Sequence, residues 1–87
     1  MKTALKDGFE VQINEACLND WAFLTTLRKV DKGDASLIVD VAEILLGGAE
    51  EVDKLAKHLA VGGVTHIDTM AGALAEIMES VGEAKNS

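Results

Sequence analysis

The stretch at residues 34–48, DASLIVDVAEILLGG, constrains the fold more than any other part of the chain. When it is placed on a helix at about 100° per residue, its polar residues Ser36, Asp40 and Glu43 fall within one narrow wedge. Apolar residues cover almost all of the remaining circumference: Leu37, Ile38, Val39, Val41, Ile44, Leu45 and Leu46. A helix that is apolar on most sides must be surrounded, and this one is too short and too charged to span a bilayer. We therefore predict that it is the central helix of a small bundle.

The composition predicts one mainly helical domain. The chain of 87 residues has no proline and only 3% aromatic residues, so the core has to come from aliphatic side chains and methionine. Its alanine and leucine content favours helix. Cys17 is the single cysteine, which excludes an internal disulfide, suits a reducing cytoplasm and is best interpreted as a small half-buried apolar residue. We expect no signal peptide and no transmembrane segment.

The net charge of −7 is unevenly distributed. Residues 1–33 carry five acids and five bases, whereas residues 34–87 carry ten acids and three bases. The acidic part would repel nucleic-acid phosphates and anionic lipids. We therefore expect neither nucleic acid nor membrane as a partner, and the simplest role for this charge is to maintain solubility.

Residues 1–13 carry the clearest β signal. Phe9, Val11 and Ile13 alternate with polar residues, as in a strand with one buried face. Asp7 and Gly8 before them suit a two-residue hairpin turn with positive φ angles, and residues 2–6 would form the partner strand. In the alternative, residues 9–13 alone are extended and residues 1–6 are loose.

Capping signals predict four helices after this segment. Asn19 is the predicted N-cap of the first helix, Asp34 caps the central helix, and Gly47 ends it. The predicted helices cover residues 20–30, 35–46, 49–59 and 66–81. The predicted architecture is thus a small four-helix bundle with a short N-terminal β-strand or hairpin, forming one domain over residues 1–81, with the β segment at 1–13. Residues 82–87 are predicted to be a disordered tail.

We find no sequence pattern typical of a catalytic, cofactor-binding or metal-binding site. We therefore predict no catalytic residue, no cofactor and no metal. His58 and His66 are eight residues apart without a nearby thiol, and no zinc or calcium spacing occurs. The Gly47-Gly48 and Gly62-Gly63 pairs are not followed by the Lys-Ser/Thr of a phosphate-binding loop. Nothing in the sequence supports an enzyme.

Ser36 suggests an alternative function, from another class of protein. Asp34-Ala35-Ser36-Leu37 resembles the Asp-Ser-Leu motif of acyl carrier proteins, whose serine holds phosphopantetheine. Here Ala35 separates the aspartate from the serine, and apolar residues replace the acids that usually follow the leucine. The favoured interpretation is that Ser36 is a first-turn residue of a capped helix.

Taken in order, the segments resemble the small tail assembly chaperones of long-tailed, siphophage-type bacteriophages and prophages. The segments that carry the resemblance are FEVQI, NDWAFLTTLRKV, a helix ending in LLGG, EEVDKLAKHL and the final AKNS. In that family the short protein often ends just after a ribosomal frameshift site that yields a longer product. A Lys85-Asn86 pair can be encoded by such a slippery run.

The resemblance implies a non-enzymatic role in virion morphogenesis. Such proteins bind the tape measure protein and help recruit tail tube subunits in the host bacterial cytoplasm, and they are absent from the mature virion. No cofactor and no catalytic residue is implied. A small acidic helical adaptor with another partner remains a further alternative.

Candidate contact residues lie in three parts of the chain. The strand edge, the flank of the central helix and the apolar face of the fourth helix would mediate protein interaction and self-association into a homo-oligomer. Trp21 falls outside the apolar stripe of its helix, so it lies either at the core margin, which is favoured, or on a contact surface. The full set of candidates is Phe9, Val11, Ile13, Trp21, Val39, Leu46, Met70 and Met78.

Overall fold

The computed structural model describes the backbone of residues 2–86 and the side chains of residues 2–34 and 36–81. Within this range a β-hairpin is followed by four α-helices, which confirms the predicted fold class. The strands are β1 (Lys2–Ala4) and β2 (Glu10–Gln12), and the helices are α1 (Trp21–Asp31), α2 (Ile38–Leu46), α3 (Ala49–Leu59) and α4 (Ile67–Asn86). Single 3-10 turns at Glu15–Asn19 and Ala35–Leu37 precede α1 and α2.

The hairpin is complete, but its turn is longer than predicted. β1 and β2 pair antiparallel with Thr3 opposite Val11, and the Leu5 amide donates to the Phe9 carbonyl at 2.9 Å. The turn therefore contains Lys6, Asp7 and Gly8, and only Gly8 has a positive φ (94°). The predicted two-residue turn was wrong: the Gly8 amide donates to the Leu5 carbonyl and the Asp7 carboxylate accepts the Phe9 amide, each at 2.9 Å, which holds a three-residue turn closed by a left-handed glycine.

The core lies where the hairpin, α1, α2, α3 and α4 meet. The side chains that are almost completely buried at its centre are Phe23, Leu45, Leu46, Leu55 and Ile77. The chain after β2 covers the C-terminal end of α2, because Asn14 donates its amide to the Leu45 carbonyl at 2.9 Å and its side-chain amide to the Ile44 carbonyl at 3.3 Å. Cys17 is fully buried in the same core rather than half-buried as predicted.

Two predicted helix starts are shifted. The N-cap of α1 is Asp20 rather than Asn19, since the Asp20 carboxylate accepts the Ala22 amide at 3.2 Å. Asp34 does not cap α2 directly. Its carbonyl accepts the Leu37 amide at 3.3 Å in the 3-10 turn, and α2 begins only at Ile38. The predicted end of α2 is confirmed, because Gly47 adopts the left-handed conformation with φ 84°.

α4 is longer than predicted and packs against the N-terminal hairpin. It continues to Asn86, beyond the predicted end near Val81. On one side it meets the hairpin, where Glu76 accepts the Lys6 backbone amide at 3.1 Å and Ser80 hydrogen-bonds Thr3. Side chains from residue 82 onward, and all of Ser87, lie outside the described residues, so the tail at 82–87 stays a prediction.

Candidate protein-interaction surface

Large apolar side chains are exposed at two places on the described part of the chain. The first place is formed by the start of α2, the α3–α4 loop and the start of α4. We call its four exposed side chains the apolar rim: Val39, Val61, Val64 and Ile67. The second place is the outer face of α1, with Trp21 and Leu24. Contiguous exposed apolar residues of this kind mark interaction sites more often than scattered single ones.

A tight loop presents part of the apolar rim. Val61 and Val64 exchange backbone hydrogen bonds of 2.8 and 3.1 Å across Gly62 and Gly63. Both glycines have positive φ angles, 61° and 81°, as a two-residue hairpin turn requires. Thr65 anchors the loop by donating its hydroxyl to the Ala56 carbonyl at 2.6 Å. The valines therefore point outward on a short loop whose backbone is fixed at its base.

Next to the rim lies a groove of about 290 Å³ between α2, α3 and the start of α4. We call it the first groove. Val39 and Ile67 of the apolar rim line it, so the rim and the groove are continuous. Its lining is almost entirely apolar: Ile38, Val39, Ala42, Val52, Ala56, Thr65, Ile67 and Met70.

A second groove, of about 320 Å³, opens between α1, α2 and the middle of α4. It shares Ile38 with the first groove, so the two adjoin on α2. Its lining residues are Leu27, Val30, Asp31, Ile38, Val41, Ala71, Leu74, Ala75 and Met78. The sequence of α4 accounts for the gap, because the small residues Ala71 and Ala75 face α1 and α2 where longer side chains would fill the space.

Trp21 lies on the solvent side of α1 with 82% of its surface exposed. The favoured prediction of a core-margin position was wrong, because α1 directs Phe23 into the core and Trp21 lies on the opposite face. Leu24, Thr25 and Arg28 line a shallow depression beside its ring. Trp21 thus remains available as a contact residue.

The predicted contact residues separate into exposed and buried sets. Val39 is 60% exposed, and Met70 and Met78 are half-buried walls of the first and second grooves respectively. In contrast, Leu46 is only 1% exposed, because the chain after β2 covers the end of α2. Val11 and Ile13 are also buried in the protein's own core. These three side chains cannot reach a partner while the core is intact, so we remove them from the candidate surface.

Phe9 makes a contact that the sequence did not indicate. Its ring stacks on the imidazole of His58 with centroids 4.0 Å apart, and His58 Nε2 lies 2.7 Å from Asp7 Oδ2. The hairpin turn is thereby attached to α3. The backbone amide of Phe9, followed by His58, lowers the pKa of Asp7 below its ordinary value. No local pattern could have revealed the contact, because Asp7 and His58 are 51 residues apart.

The helices around the first groove carry a surplus of acids, whereas α1 at the second groove carries Arg28 and Lys29 beside Asp31. Residues 34–46 and 67–81, which supply α2 and most of α4, carry six acids and no lysine or arginine. The two lysines of α3 are paired within their own helix, Lys54 with Glu51 and Lys57 with Asp53, each at 3.1 Å. An apolar groove between acidic helices favours an apolar ligand that carries positive charge.

Cys17 and Ser36, the two nucleophilic side chains considered in the sequence, lie in different environments. Burial raises the pKa of the Cys17 thiol, which disfavours the reactive thiolate. The Ser36 hydroxyl donates to the Asp34 carboxylate within the 3-10 turn. No group of three or more histidine, cysteine or acidic residues within the described range is placed to hold a metal ion. Within the same range, no helix has both the length and the apolar character needed to cross a membrane.

Comparison with protein families, with curated protein sequences and with solved structures found no match to this chain.

Proposed function

We propose that the protein is a non-enzymatic tail assembly chaperone of a long-tailed bacteriophage or prophage. In this role it binds the tape measure protein in the host bacterial cytoplasm, helps to recruit tail tube subunits and is not retained in the virion. The resemblance of its ordered segments to that family motivates the proposal. The observation that supports it is the apolar rim, which adjoins two open grooves on an otherwise acidic helical domain.

The surface has the properties that a holding chaperone needs. A long helical client exposes apolar stripes that aggregate unless they are covered, and a groove lined by aliphatic side chains can cover them reversibly. Met70 and Met78 are unbranched, so the groove walls can repack against stripes of different shape. The net charge of −7 would keep a coated client in solution by repulsion between complexes.

The test is co-expression of the chain with the tape measure protein of the same phage or prophage, followed by affinity purification through a tag on the chain. We expect the two proteins to purify together and the tape measure protein to precipitate when expressed alone. A tape measure protein that is equally insoluble with and without this chain, and that does not copurify, would refute the proposal. Gene position between tail tube and tape measure genes, with a slippery run near the 3′ end, is the accompanying genomic expectation.

A further inference from the structure

The geometry points to a single binding site, formed by both grooves, for an amphipathic helix whose apolar stripe is flanked by lysine and arginine. This inference rests on the proposed function to the extent that the tape measure protein would supply the helix. It adds the location of the site, its length and the charge of its ligand, none of which the resemblance provides.

The two grooves follow one face of α4. Residues Ile67 and Met70 line the first groove, and Leu74 and Met78 line the second. Their spacing places all four on the same side of the helix. At about 1.5 Å per residue they extend over roughly 16 Å, which is the length of three helical turns. The two grooves meet at Ile38 of α2, which lines both of them. A ligand lying along α4 would therefore pass from one groove into the other and contact both.

A helix fits this site better than an extended strand. Strand addition needs a sheet edge with unpaired backbone groups, whereas the walls of both grooves are helices with internally bonded backbones. The nearest β contact, between Val61 and Val64, is already paired within its own turn. Recognition must therefore come from side chains, as when an apolar helix stripe packs into a groove.

The charges around the site select a basic ligand. Asp31 lines the second groove, Glu43 follows the rim residue Val39 by one helical turn, and Asp68 is next to the rim residue Ile67. Within residues 34–81, α2 and α4 bring no lysine or arginine to this face, while α1 carries Arg28 and Lys29 near the second groove, so the acidic surplus lies at the rim and the first groove. A second copy of this chain carries the same acids and is repelled at low ionic strength, so the favoured occupant is a basic helix.

Three labelled 18-residue peptides test the inference by fluorescence anisotropy with the full chain. The first has a leucine stripe flanked by lysines, the second has the same stripe flanked by glutamates, and the third has the composition of the first without the stripe. We expect the first to bind at least tenfold more tightly than the other two, and its binding to weaken as salt increases. Equal binding of the lysine and glutamate peptides would overturn the proposal.

Two variants locate the binding. Val39→Gln combined with Ile67→Gln removes exposed apolar contacts at the first groove without adding charge, and we expect binding of the lysine peptide to weaken about tenfold. Ala16→Gln in the 3-10 turn before α1 changes an exposed residue that lines neither groove, so it is the control and should leave binding unchanged. Both variants should keep the wild-type circular dichroism spectrum, because the substituted side chains are exposed. Equal effects of the two variants would place the site elsewhere.

A second matched pair tests the charge on α2. Glu43→Gln should weaken binding of the lysine peptide and reduce its salt dependence. Glu79→Gln makes the same change in charge on the side of α4 that faces the hairpin, away from both grooves, and should have the smaller effect. A larger effect of Glu79→Gln would contradict the assignment of the acidic residues at the rim.

Two combinations of results distinguish a failure of this binding site from a failure of the proposed function. If the tape measure protein copurifies equally well with the Val39→Gln, Ile67→Gln variant, the site is wrong and the chaperone function stands. If the lysine peptide binds as expected but the tape measure protein does not copurify, the site stands and the proposed function fails.

Discussion

At the scale of single residues, Asp7, Phe9 and His58 join the hairpin turn to α3 in one compact contact. The Asp7 carboxylate accepts the Phe9 amide and also lies against His58, and both interactions favour its charged form. Because its pKa is lowered in the folded protein, the carboxylate stabilises the fold above the ordinary pKa of 3.8. That contribution is lost as the pH falls through the lowered value.

Asp7→Asn should therefore destabilise the protein at about pH 7 and have progressively less effect as the pH falls below about 4. Urea unfolding of both proteins at a series of pH values measures the difference. Gln12→Ala, an exposed change in the neighbouring strand at a residue that does not titrate, is the control and should show no such trend. A difference that is constant down to about pH 2 would contradict the contact.

Val39 and Leu46 are both on α2, yet the structure gives them opposite roles. Leu46→Ala removes a fully buried side chain and should lower the free energy of unfolding by about 2–5 kcal/mol. Val39→Ala changes an exposed position and should lower it by less than about 0.5 kcal/mol. Chemical denaturation measures both values, and similar losses in the two variants would show that the assigned burial is wrong.

Ser36 provides the test of the carrier alternative. Its hydroxyl is bonded to Asp34 in the same turn, and we expect no modification. Incubation with a phosphopantetheinyl transferase and coenzyme A, followed by intact mass measurement, should leave the mass unchanged while a known carrier protein in the same reaction gains the adduct. A mass increase that is absent in Ser36→Ala would establish the carrier function instead.

At the scale of elements, Gly72 in α4 and Gly63 in the loop before it should respond in opposite ways to substitution by alanine. Gly72 is in the helix with a negative φ, and an added methyl group would meet no atom within 4 Å. Gly63 has a φ of 81° in the loop that presents the apolar rim. A helix interior favours alanine, whereas a left-handed position penalises it.

Gly72→Ala should raise the free energy of unfolding by about 0.5–1 kcal/mol. Gly63→Ala should lower it by about 1–2 kcal/mol, because the added Cβ strains the left-handed conformation. Thermal or urea unfolding of the two variants tests the pair directly, with the wild type as reference. Destabilisation by Gly72→Ala would mean that α4 packs more closely at this point than the structure shows.

At the scale of the whole molecule, charge and apolar surface oppose each other in self-association. The rim and grooves favour contact between copies, while the net charge of −7 drives them apart. We expect the homo-oligomer predicted from the sequence to form reversibly and to be strengthened by salt, which screens the repulsion.

Static light scattering between about 0.02 and 0.5 M salt should show the average mass rising with ionic strength. Val39→Glu adds a charge to the exposed rim and should lower the mass at each salt concentration. Leu46→Glu does not serve as a second probe, because it would place a charge in the core. A monomer at all salt and protein concentrations would remove self-association from the proposal.

The sequence by itself determined the elements whose signals are local. The alternation of Phe9, Val11 and Ile13, the apolar circumference of α2 and the glycine at its end all depend on neighbours within a few residues. These features predicted the mainly helical fold and its N-terminal hairpin. The start of α1 was predicted one residue too early, because Asn19 and Asp20 both have side chains able to cap the helix.

Only the tertiary structure decided which apolar residues are available to a partner. Val39 and Leu46 both flank the polar wedge of α2, but Leu46 is buried at the end of the helix to which the chain after β2 is hydrogen-bonded, and Val39 at its start is exposed. The grooves likewise depend on how the small residues of α4 face α1 and α2, and the Asp7–His58 contact joins distant segments. Burial depends on which segments meet in space, and helical periodicity specifies only which residues share a face.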